Sequence, residues 1–191
     1  MTSTAPVRRS ARERLLEAAN ELFYAEGVQS VGIDRVIEQA GVAKASLYNT
    51  FGSKEELVKA YLESRHAGTT ARLRAAVAGE TDPRQRLLAV FDAQAAFFSQ
   101  PGFRGCAFSA ATAEAPAGGL IERAADDYRA DIRGLFADLA TEAGVTDPDA
   151  LARQLQLLYD GAGMAARMDR DPSIARAART AAESLVDAAH V

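Results

Sequence analysis

Apolar residues recur along the chain at intervals of three and four, which is the spacing of one buried face of an α-helix. Ile33, Val36, Ile37 and Ala40 show this spacing clearly. No stretch sustains the two-residue alternation of a half-buried β-strand. Glycine, proline and capping residues divide the pattern into about nine helices. The sequence therefore predicts an all-α protein.

Residues Ile33–Leu57 are predicted to form a helix-turn-helix followed by the start of a supporting helix. Gly41 ends the first helix, because the left-handed position after a helix favours Gly or Asn. A short second helix follows at Lys44–Phe51. Ser53 and Glu56 then have the S-x-x-E spacing of a capping box, which predicts the start of a third helix.

The short second helix has one apolar face and one face that suits contact with DNA. Leu47 and Phe51 are four residues apart and are expected to face inward. The opposite side chains are small or polar, so they can approach base edges without steric penalty. These residues are Lys44, Ala45, Ser46, Asn49 and Thr50.

The first third of the chain contains two motifs, LLEAANELFYAEG at 15–27 and IDRVIEQAGVAKASLYNTFGSKEEL at 33–57. In these motifs it resembles the DNA-binding domain of the TetR family of bacterial transcription regulators. The family often has Thr or Ser near two positions where this chain has Gly32 and Ala43. Gly is a tolerable N-cap, whereas Ala offers no capping oxygen, which costs about 1 kcal/mol.

The resemblance implies a two-fold dimer with one recognition helix in each major groove, at half-sites roughly 34–36 Å apart. It implies that four side chains of the second helix lie nearest the bases: Lys44, Ala45, Ser46 and Asn49. Tyr48 and Lys54 are expected to hold phosphates, Lys54 near the N-terminus of the following helix. Alternatively, Tyr48 buries its ring in the core and Lys54 is only a solvated surface cation.

The charge distribution bears on DNA binding more than the net charge of −4 does. Residues 1–66 carry nine Lys/Arg and nine Asp/Glu, so the acidic excess lies entirely in residues 67–191. Four arginines and one glutamate fall within the first 14 residues. Affinity for DNA depends on such local charges. The basic arm up to about Ser10 is expected to be disordered; it either contacts DNA or is a solvated tail.

The remainder of the chain is predicted to be helical throughout. Helices are expected from Pro83 to about Ser99, at Phe103–Glu114, from Leu120 to about Ala143, and after Pro148 and Pro172. We expect two domains: 1–55 with the basic arm and helix-turn-helix, and 56–191 for effector binding and dimerisation. A helix from about 53 to 78 would link them.

The last two predicted helices are rich in alanine, so another helix can pack closely against them. They either cover the core of their own domain or pair with a second copy in a four-helix interface, which the resemblance favours. The interface residues expected on these helices are Leu151, Leu155, Leu158, Ala162, Ile174, Ala178, Ala181 and Leu185.

Aromatic residues are concentrated in the middle of the chain, within a region otherwise built from Ala and Leu. Taken singly, each ring could fill an ordinary core. TetR-family members commonly bind small molecules between these helices, so the resemblance implies an apolar effector pocket. The residues expected to line it are Phe91, Gln94, Phe98, Phe103, Cys106, Ser109, Thr112, Tyr128 and Tyr159.

Cys106 is the chain's single thiol. It is either a small buried hydrophobe or, with Arg104 two residues away, a sensor of electrophiles or oxidants. Glu63-x-x-His66 has the ligand spacing of helical di-iron sites, but those sites need two such pairs and two further glutamates. No phosphate loop, catalytic triad or zinc spacing occurs in the sequence. We therefore expect no catalytic residues, metal or cofactor.

The composition also predicts the cellular compartment of the protein. The chain has 48% hydrophobic residues, 25% charged residues and one cysteine, which fits a globular protein of a reducing cytosol. No apolar run approaches the roughly 18 residues of a membrane span, and the N-terminus lacks the apolar segment of a secretory signal. We expect a cytoplasmic, nucleoid-associated protein without a membrane partner.

These observations favour a ligand-responsive transcriptional regulator over an enzyme. We expect a homodimeric repressor that leaves a palindromic double-stranded operator when it binds a small hydrophobic or aromatic effector of unidentified structure. The alternatives are a helical-bundle enzyme that uses the aromatic cavity and a DNA-binding protein that responds to no ligand.

Overall fold

The computed structural model describes residues 9–189, which form nine α-helices and no β-strand. The predicted all-α fold is confirmed. The helices are α1 Ala11–Glu26, α2 Ile33–Ala40, α3 Lys44–Phe51, α4 Lys54–Ala78, α5 Pro83–Phe98, α6 Ala107–Ala113, α7 Leu120–Glu142, α8 Pro148–Asp169 and α9 Ile174–Ala188. The expected disorder of the N-terminal arm concerns residues 1–8, which lie outside the described residues.

A capping box sets the start of α1. The Ser10 hydroxyl accepts a hydrogen bond from the Glu13 backbone N–H at 3.2 Å, and the Glu13 carboxylate accepts one from the Ser10 N–H at 2.7 Å. Two backbone donors at the helix start are thereby satisfied. The apolar face of α1 packs on α2 and α3, with Leu15 fully buried. The three helices form the helix-turn-helix unit.

Gly41 makes the turn between α2 and α3. It adopts φ 61° and ψ 41°, the left-handed conformation expected after a helix. The following Val42 N–H donates to the Ile37 carbonyl at 3.3 Å, which satisfies a carbonyl at the helix end. Gly32 and Ala43 provide no side-chain cap for α2 and α3, as their residue types predict.

The linking helix α4 belongs to the cores of both predicted domains. The Ser53 hydroxyl caps it by accepting from the Glu56 N–H at 3.1 Å. In its first half, the ring of Tyr61 lies edge-on to Phe23 of α1, with centroids 5.6 Å apart. The same helix packs against α5 and α7. A displacement of α4 would therefore shift the helix-turn-helix that packs against it.

The C-terminal helices enclose an aromatic core. Phe91 of α5, Phe136 of α7 and Tyr159 of α8 contact one another, with centroid separations of 5.8, 6.2 and 6.4 Å. Helix α9 packs on α5 and α8. Between α5 and α7, the structure has a shorter α6 than the sequence predicts.

The predicted helix at Phe103–Glu114 begins only at Ala107. Gly105 has φ 91°, which a right-handed helix cannot include. The Tyr24 hydroxyl fixes the preceding segment, because it accepts from the Arg104 N–H and donates to the Gly105 carbonyl, both at 3.0 Å. This long-range contact overrides the local apolar pattern.

The structure corrects half of the predicted dimer surface. Leu151, Leu155, Ala162 and Ala178 are at most 5% exposed and belong to the protomer's own core. Helix α8 has two apolar faces, and periodicity alone does not distinguish the inner from the outer one. Of the other expected interface residues, Leu158, Ile174 and Leu185 are half-buried and Ala181 is exposed.

The exposed apolar face of α8 is formed by Leu157, Met164 and Met168, which are 70%, 60% and 73% exposed. They lie at positions i, i+7 and i+11, hence on one side of the helix. Across residues 9–189, every helix is too short or too polar to span a membrane.

Gly41→Ala should lower the free energy of unfolding by about 1 kcal/mol, because a Cβ is disfavoured in the left-handed conformation. The space around Gly41 is open, with Arg14 Nη1 at 3.9 Å from an added Cβ, so the effect is conformational. Gly41→Asn should be less damaging, because Asn tolerates this conformation. Denaturant unfolding measures the free energy of unfolding of the unchanged protein, Gly41→Ala and Gly41→Asn.

Gly134→Ala is the matched control, since Gly134 is helical and exposed, and an added Cβ would lie within 4 Å of no neighbouring atom in residues 9–189. It should stabilise the protein by roughly 0.5–1 kcal/mol. Equal stability of Gly41→Ala and the unchanged protein would contradict the conformational argument.

Candidate DNA-binding surface and effector cavity

Helix α3 presents a polar face to solvent. Leu47 is completely buried and anchors the helix on the core. Ala45, Tyr48, Asn49 and Thr50 are exposed on its other sides. The Asn49 side chain makes no hydrogen bond to another described residue, so its amide is free to donate and accept.

Three other polar residues of α3 are partly engaged within the protein. Lys44 Nζ lies 2.8 Å from Asp34 Oδ1 of α2, and this hydrogen bond raises the pKa of Lys44. The Thr50 hydroxyl donates to the Ser46 carbonyl at 2.6 Å, and Ser46 is half-buried. Both ends of the Lys44–Asp34 pair are exposed, so a phosphate or base can compete for the lysine.

Basic and phenolic groups surround this face. Tyr48 is 45% exposed, and Lys54 is half-buried at the first position of α4. Arg12 of α1 stacks over the Phe51 ring with its guanidinium carbon 5.4 Å from the centroid. Arg14 Nη2 donates to the Gly41 carbonyl at 3.0 Å. Two of the four arginines counted within the first 14 residues thus lie on α1 beside the turn.

A cavity of about 320 Å³ lies among α1, α4, α5, α6, α7 and α8. Seven of the nine residues predicted for the pocket line it: Gln94, Phe98, Phe103, Cys106, Ser109, Tyr128 and Tyr159. Phe91 does not, because it packs between Phe136 and Tyr159 in the core. Thr112 does not either; its hydroxyl donates to the Phe108 carbonyl at 2.9 Å.

The apolar wall of the cavity consists of paired rings. Phe108 and Tyr128 are stacked with centroids 4.0 Å apart and planes 2° from parallel. Phe98 and Phe103 lie 4.8 Å apart, and Phe97 meets Phe103 edge-on at 5.5 Å. Such a wall suits a flat apolar or aromatic ligand.

The polar wall includes two phenols and an amide. Burial raises the pKa of Tyr159 to about 12 and that of Tyr128 well above its usual value, so both hydroxyls are neutral hydrogen-bonding groups. Gln94 Nε2 donates to the Tyr159 carbonyl at 2.8 Å, whereas Gln94 Oε1 is buried without a partner among the residues that the structure describes. Cys106 is half-buried in the same wall.

Sequence reasoning missed the residues that α1 and α4 contribute. Asn20, Tyr24, Arg65 and Arg72 all line the cavity. Arg65 and Arg72 are seven residues apart, two turns along one face of α4, and this spacing is visible in the sequence. The α1 residues reach the cavity through tertiary packing, which no local sequence pattern predicts.

Contacts through α1 join the cavity to the helix-turn-helix. Arg65 Nη2 of α4 donates to the Asn20 carbonyl at 3.0 Å, and its guanidinium carbon lies 4.0 Å from the Tyr24 ring centroid. A second link comes from Glu114, which accepts from the Gln29 backbone N–H at 2.9 Å and from its side chain at 3.2 Å. The loop between α1 and α2 is thereby held to the end of α6.

The possible metal pattern at Glu63 and His66 has a simpler structural role. His66 Nε2 lies 2.8 Å from Asp131 Oδ2, and the imidazole packs edge-on to Tyr128 at 5.5 Å. Within residues 9–189, no three His, Cys, Asp or Glu side chains are grouped to hold a metal ion.

Comparison with known proteins places the helix-turn-helix in a family. Residues 15–61 match the family model described as bacterial regulatory proteins, tetR family. The chain is 40% identical over 86 residues to the transcriptional activator FasR of Mycolicibacterium smegmatis, a match that covers 45% of this chain and 39% of FasR. The chain thus spans less than half the length of the first curated relatives that it matches.

Other similarities extend over nearly the whole chain. The Escherichia coli transcriptional repressor NemR is 32% identical over 171 residues, covering 83% of this chain and 85% of NemR. A crystal structure of a TetR-family regulator from Streptomyces coelicolor superposes with a TM-score of 0.88 at 35% identity, over 95% of this chain and 96% of that one. These relatives are regulators and not enzymes. The chain belongs to the TetR family of helix-turn-helix transcriptional regulators.

Proposed function

We propose that this protein is a repressor that binds a palindromic operator as a homodimer and releases it when a small aromatic effector enters the cavity. The observation that carries the proposal is the wall formed by Asn20 and Tyr24, because α1 belongs to the helix-turn-helix. A ligand in the cavity touches the DNA-binding unit directly. The proposed division is 1–55 for DNA binding and 56–191 for effector binding and dimerisation.

Exposure of α3 supports DNA binding through the residues expected from the sequence. Asn49 suits base recognition, since a free amide can form paired hydrogen bonds with adenine. Lys44, Ala45, Ser46 and Thr50 flank it. Tyr48 and Lys54 are proposed to contact phosphates, which fix the orientation of the helix and carry no sequence information. The protein would act at the nucleoid.

The apolar face of α8 formed by Leu157, Met164 and Met168 supports a dimer interface. Large exposed apolar side chains on one face mark a contact site, and methionine is enriched at such interfaces. Two copies of this face related by a two-fold axis would bury each other. Ala181 of α9 and the half-buried Leu158, Ile174 and Leu185 remain candidates for the same interface.

Release follows from linkage between the two sites. The ligand must favour one separation of the two α3 helices over the other, because only differential affinity shifts an equilibrium. A coupling of about 1–3 kcal/mol changes DNA affinity 5–150-fold, which suffices to switch a promoter. The contacts of Tyr24 with residues 104 and 105 offer a path for this coupling.

The choice of repression over activation rests on NemR, a repressor that this chain matches along most of its length. FasR is an activator, but that match is confined to 86 residues. Activation is therefore the second candidate. Promoter output with and without the purified protein separates the two.

The experiment that tests the function begins with genomic footprinting, which identifies the operator. Aromatic compounds that raise the melting temperature are then measured for their effect on operator affinity by fluorescence anisotropy. We expect saturating ligand to weaken operator binding about 5–150-fold. Tyr24→Phe should reduce this ratio, because it removes two hydrogen bonds while keeping the ring. Ligands that stabilise the protein without changing operator affinity would contradict the proposal.

Asn49→Ala should weaken binding to the cognate operator by about 1–3 kcal/mol and relax its sequence preference. Lys54→Ala should weaken binding to all sequences alike and reduce the salt slope by about one unit. Anisotropy titrations on operator and scrambled DNA at several salt concentrations measure both effects. Equal loss of specific and nonspecific binding in Asn49→Ala would overturn its assignment to base recognition.

Leu157→Glu should convert the dimer to a monomer, because two carboxylates would face each other in an apolar interface. Operator binding should fall with it. Light scattering coupled to size exclusion measures the mass, with Ala75→Glu on the exposed side of α4 as control. A Leu157→Glu protein that stays dimeric and keeps operator affinity would remove α8 from the proposed interface.

A further inference from the structure

The cavity is electrostatically unbalanced. Three arginines line it, Arg65, Arg72 and Arg167, against a single carboxylate, Asp160, among its lining residues. Asp160 already pairs with Arg129, with Nη1 and Oδ2 2.6 Å apart. The cavity therefore has an excess of positive charge that its own carboxylate does not neutralise.

The three arginines differ in how their charges are satisfied. Arg65 also has a buried Nε without a partner among the described residues, but its Nη2 donates to the Asn20 carbonyl and its guanidinium stacks on Tyr24, so it has a structural role. Arg167 is exposed at the cavity rim. Arg72 forms no ion pair with any described residue, and its buried Nε has no hydrogen-bond partner.

The contacts that Arg72 does make leave its charge available. Its guanidinium carbon lies 4.3 Å from the Phe97 ring centroid, and Nη2 approaches the Thr69 hydroxyl at 3.5 Å, the limit of a hydrogen bond. A partly buried cation without an anion carries a desolvation penalty. An anionic ligand relieves that penalty and gains a charge-assisted hydrogen bond.

Gln94 is a second unsatisfied group in the same cavity. Its side chain is 4% exposed, and Nε2 is committed to the Tyr159 carbonyl, which fixes the orientation of the amide. Oε1 is buried and accepts no hydrogen bond from any residue of the described range 9–189. A ligand hydroxyl or N–H would satisfy it.

Tyr159 adds a neutral phenol near Arg72. Burial raises the pKa of Tyr159 to about 12, although the nearby positive charge of Arg72 opposes the rise. The phenol therefore keeps its proton at neutral pH and can donate to an anion. Arg72, Gln94 and Tyr159 come from three helices, α4, α5 and α8, and line one cavity.

We propose that the effector is a hydroxylated aromatic carboxylic acid whose carboxylate pairs with Arg72 and whose hydroxyl donates to Gln94 Oε1. Its ring packs between the phenylalanines of the apolar wall. A cavity of about 320 Å³ fits a molecule of one or two rings. This inference names the ligand class of the proposed function and rests on it, but binding can be measured without DNA.

The test uses matched acids and methyl esters of hydroxybenzoic, hydroxycinnamic and 6-hydroxy-2-naphthoic acid, titrated calorimetrically at neutral pH. Each pair has the same ring and differs in charge. At least one acid should bind about tenfold or more tightly than its ester, because a hydrogen bond to a charged group contributes that much. Removing the hydroxyl, as in 2-naphthoic acid, should also weaken binding.

Variants of Arg72 test whether this residue supplies the positive charge that pairs with the ligand carboxylate. Arg72→Gln should remove the preference for acid over ester, and Arg72→Lys should retain part of it. Arg74→Gln is the matched control, since it removes the same charge two residues away on the exposed side of α4. It should leave the preference unchanged. Thermal melting of each variant verifies that it is folded. If Arg72→Gln does not fold, the acid-over-ester preference of Arg72→Lys still decides the test.

Esters that bind as tightly as acids, acids whose affinity is unchanged in Arg72→Gln, or no binding of any acid at millimolar concentration would each overturn the inference. Operator affinity is read separately. Acid binding that depends on Arg72 without release of DNA would uphold the anion site and contradict the proposed function. Release of DNA by neutral compounds alone would uphold the proposed function and contradict the anion site.

Discussion

The packing of α1 against α4 is the contact on which the remaining structure depends. Phe23 meets Tyr61 in the buried part of this interface, and Arg65 clamps the edge through Asn20 and Tyr24. The helix that supports the DNA-binding unit is thereby also a wall of the cavity. In the proposed function, ligand binding and DNA binding share this interface, so neither site would be reorganised without strain in the other.

This arrangement explains why the cavity has both aromatic and charged walls. The rings of α5, α6 and α7 provide an apolar surface, whereas α4, which also packs on α1, contributes Arg65 and Arg72. In our account, Arg65 holds the two units together and Arg72 meets the ligand. A ligand that pairs with Arg72 would bind two helical turns away from Arg65, which contacts α1, and both arginines lie on one rigid helix.

Much of the fold is encoded locally. Ser10 forms the capping box that starts α1, and Gly41 takes the left-handed turn, because each residue type has few alternatives there. The start of α6 could not be predicted, since Tyr24, about 80 residues away, holds Gly105 out of the helix. Burial of Leu155 and exposure of Leu157 likewise depend on which side of α8 the other helices cover. Seven of the predicted cavity residues line it, but the unpaired charge appears only when helices distant in sequence converge.

The central claim is that a ligand in the cavity changes the separation of the two α3 helices. Electron-spin distance measurement tests it most directly, with labels at Glu21→Cys, an exposed position on α1 of the same helix-turn-helix unit, in a Cys106→Ser background and in the proposed dimer. The account predicts one distance distribution when operator is bound, with the two α3 helices at half-sites roughly 34–36 Å apart, and a shifted one at saturating ligand. Identical distributions with the cavity filled and empty would contradict it.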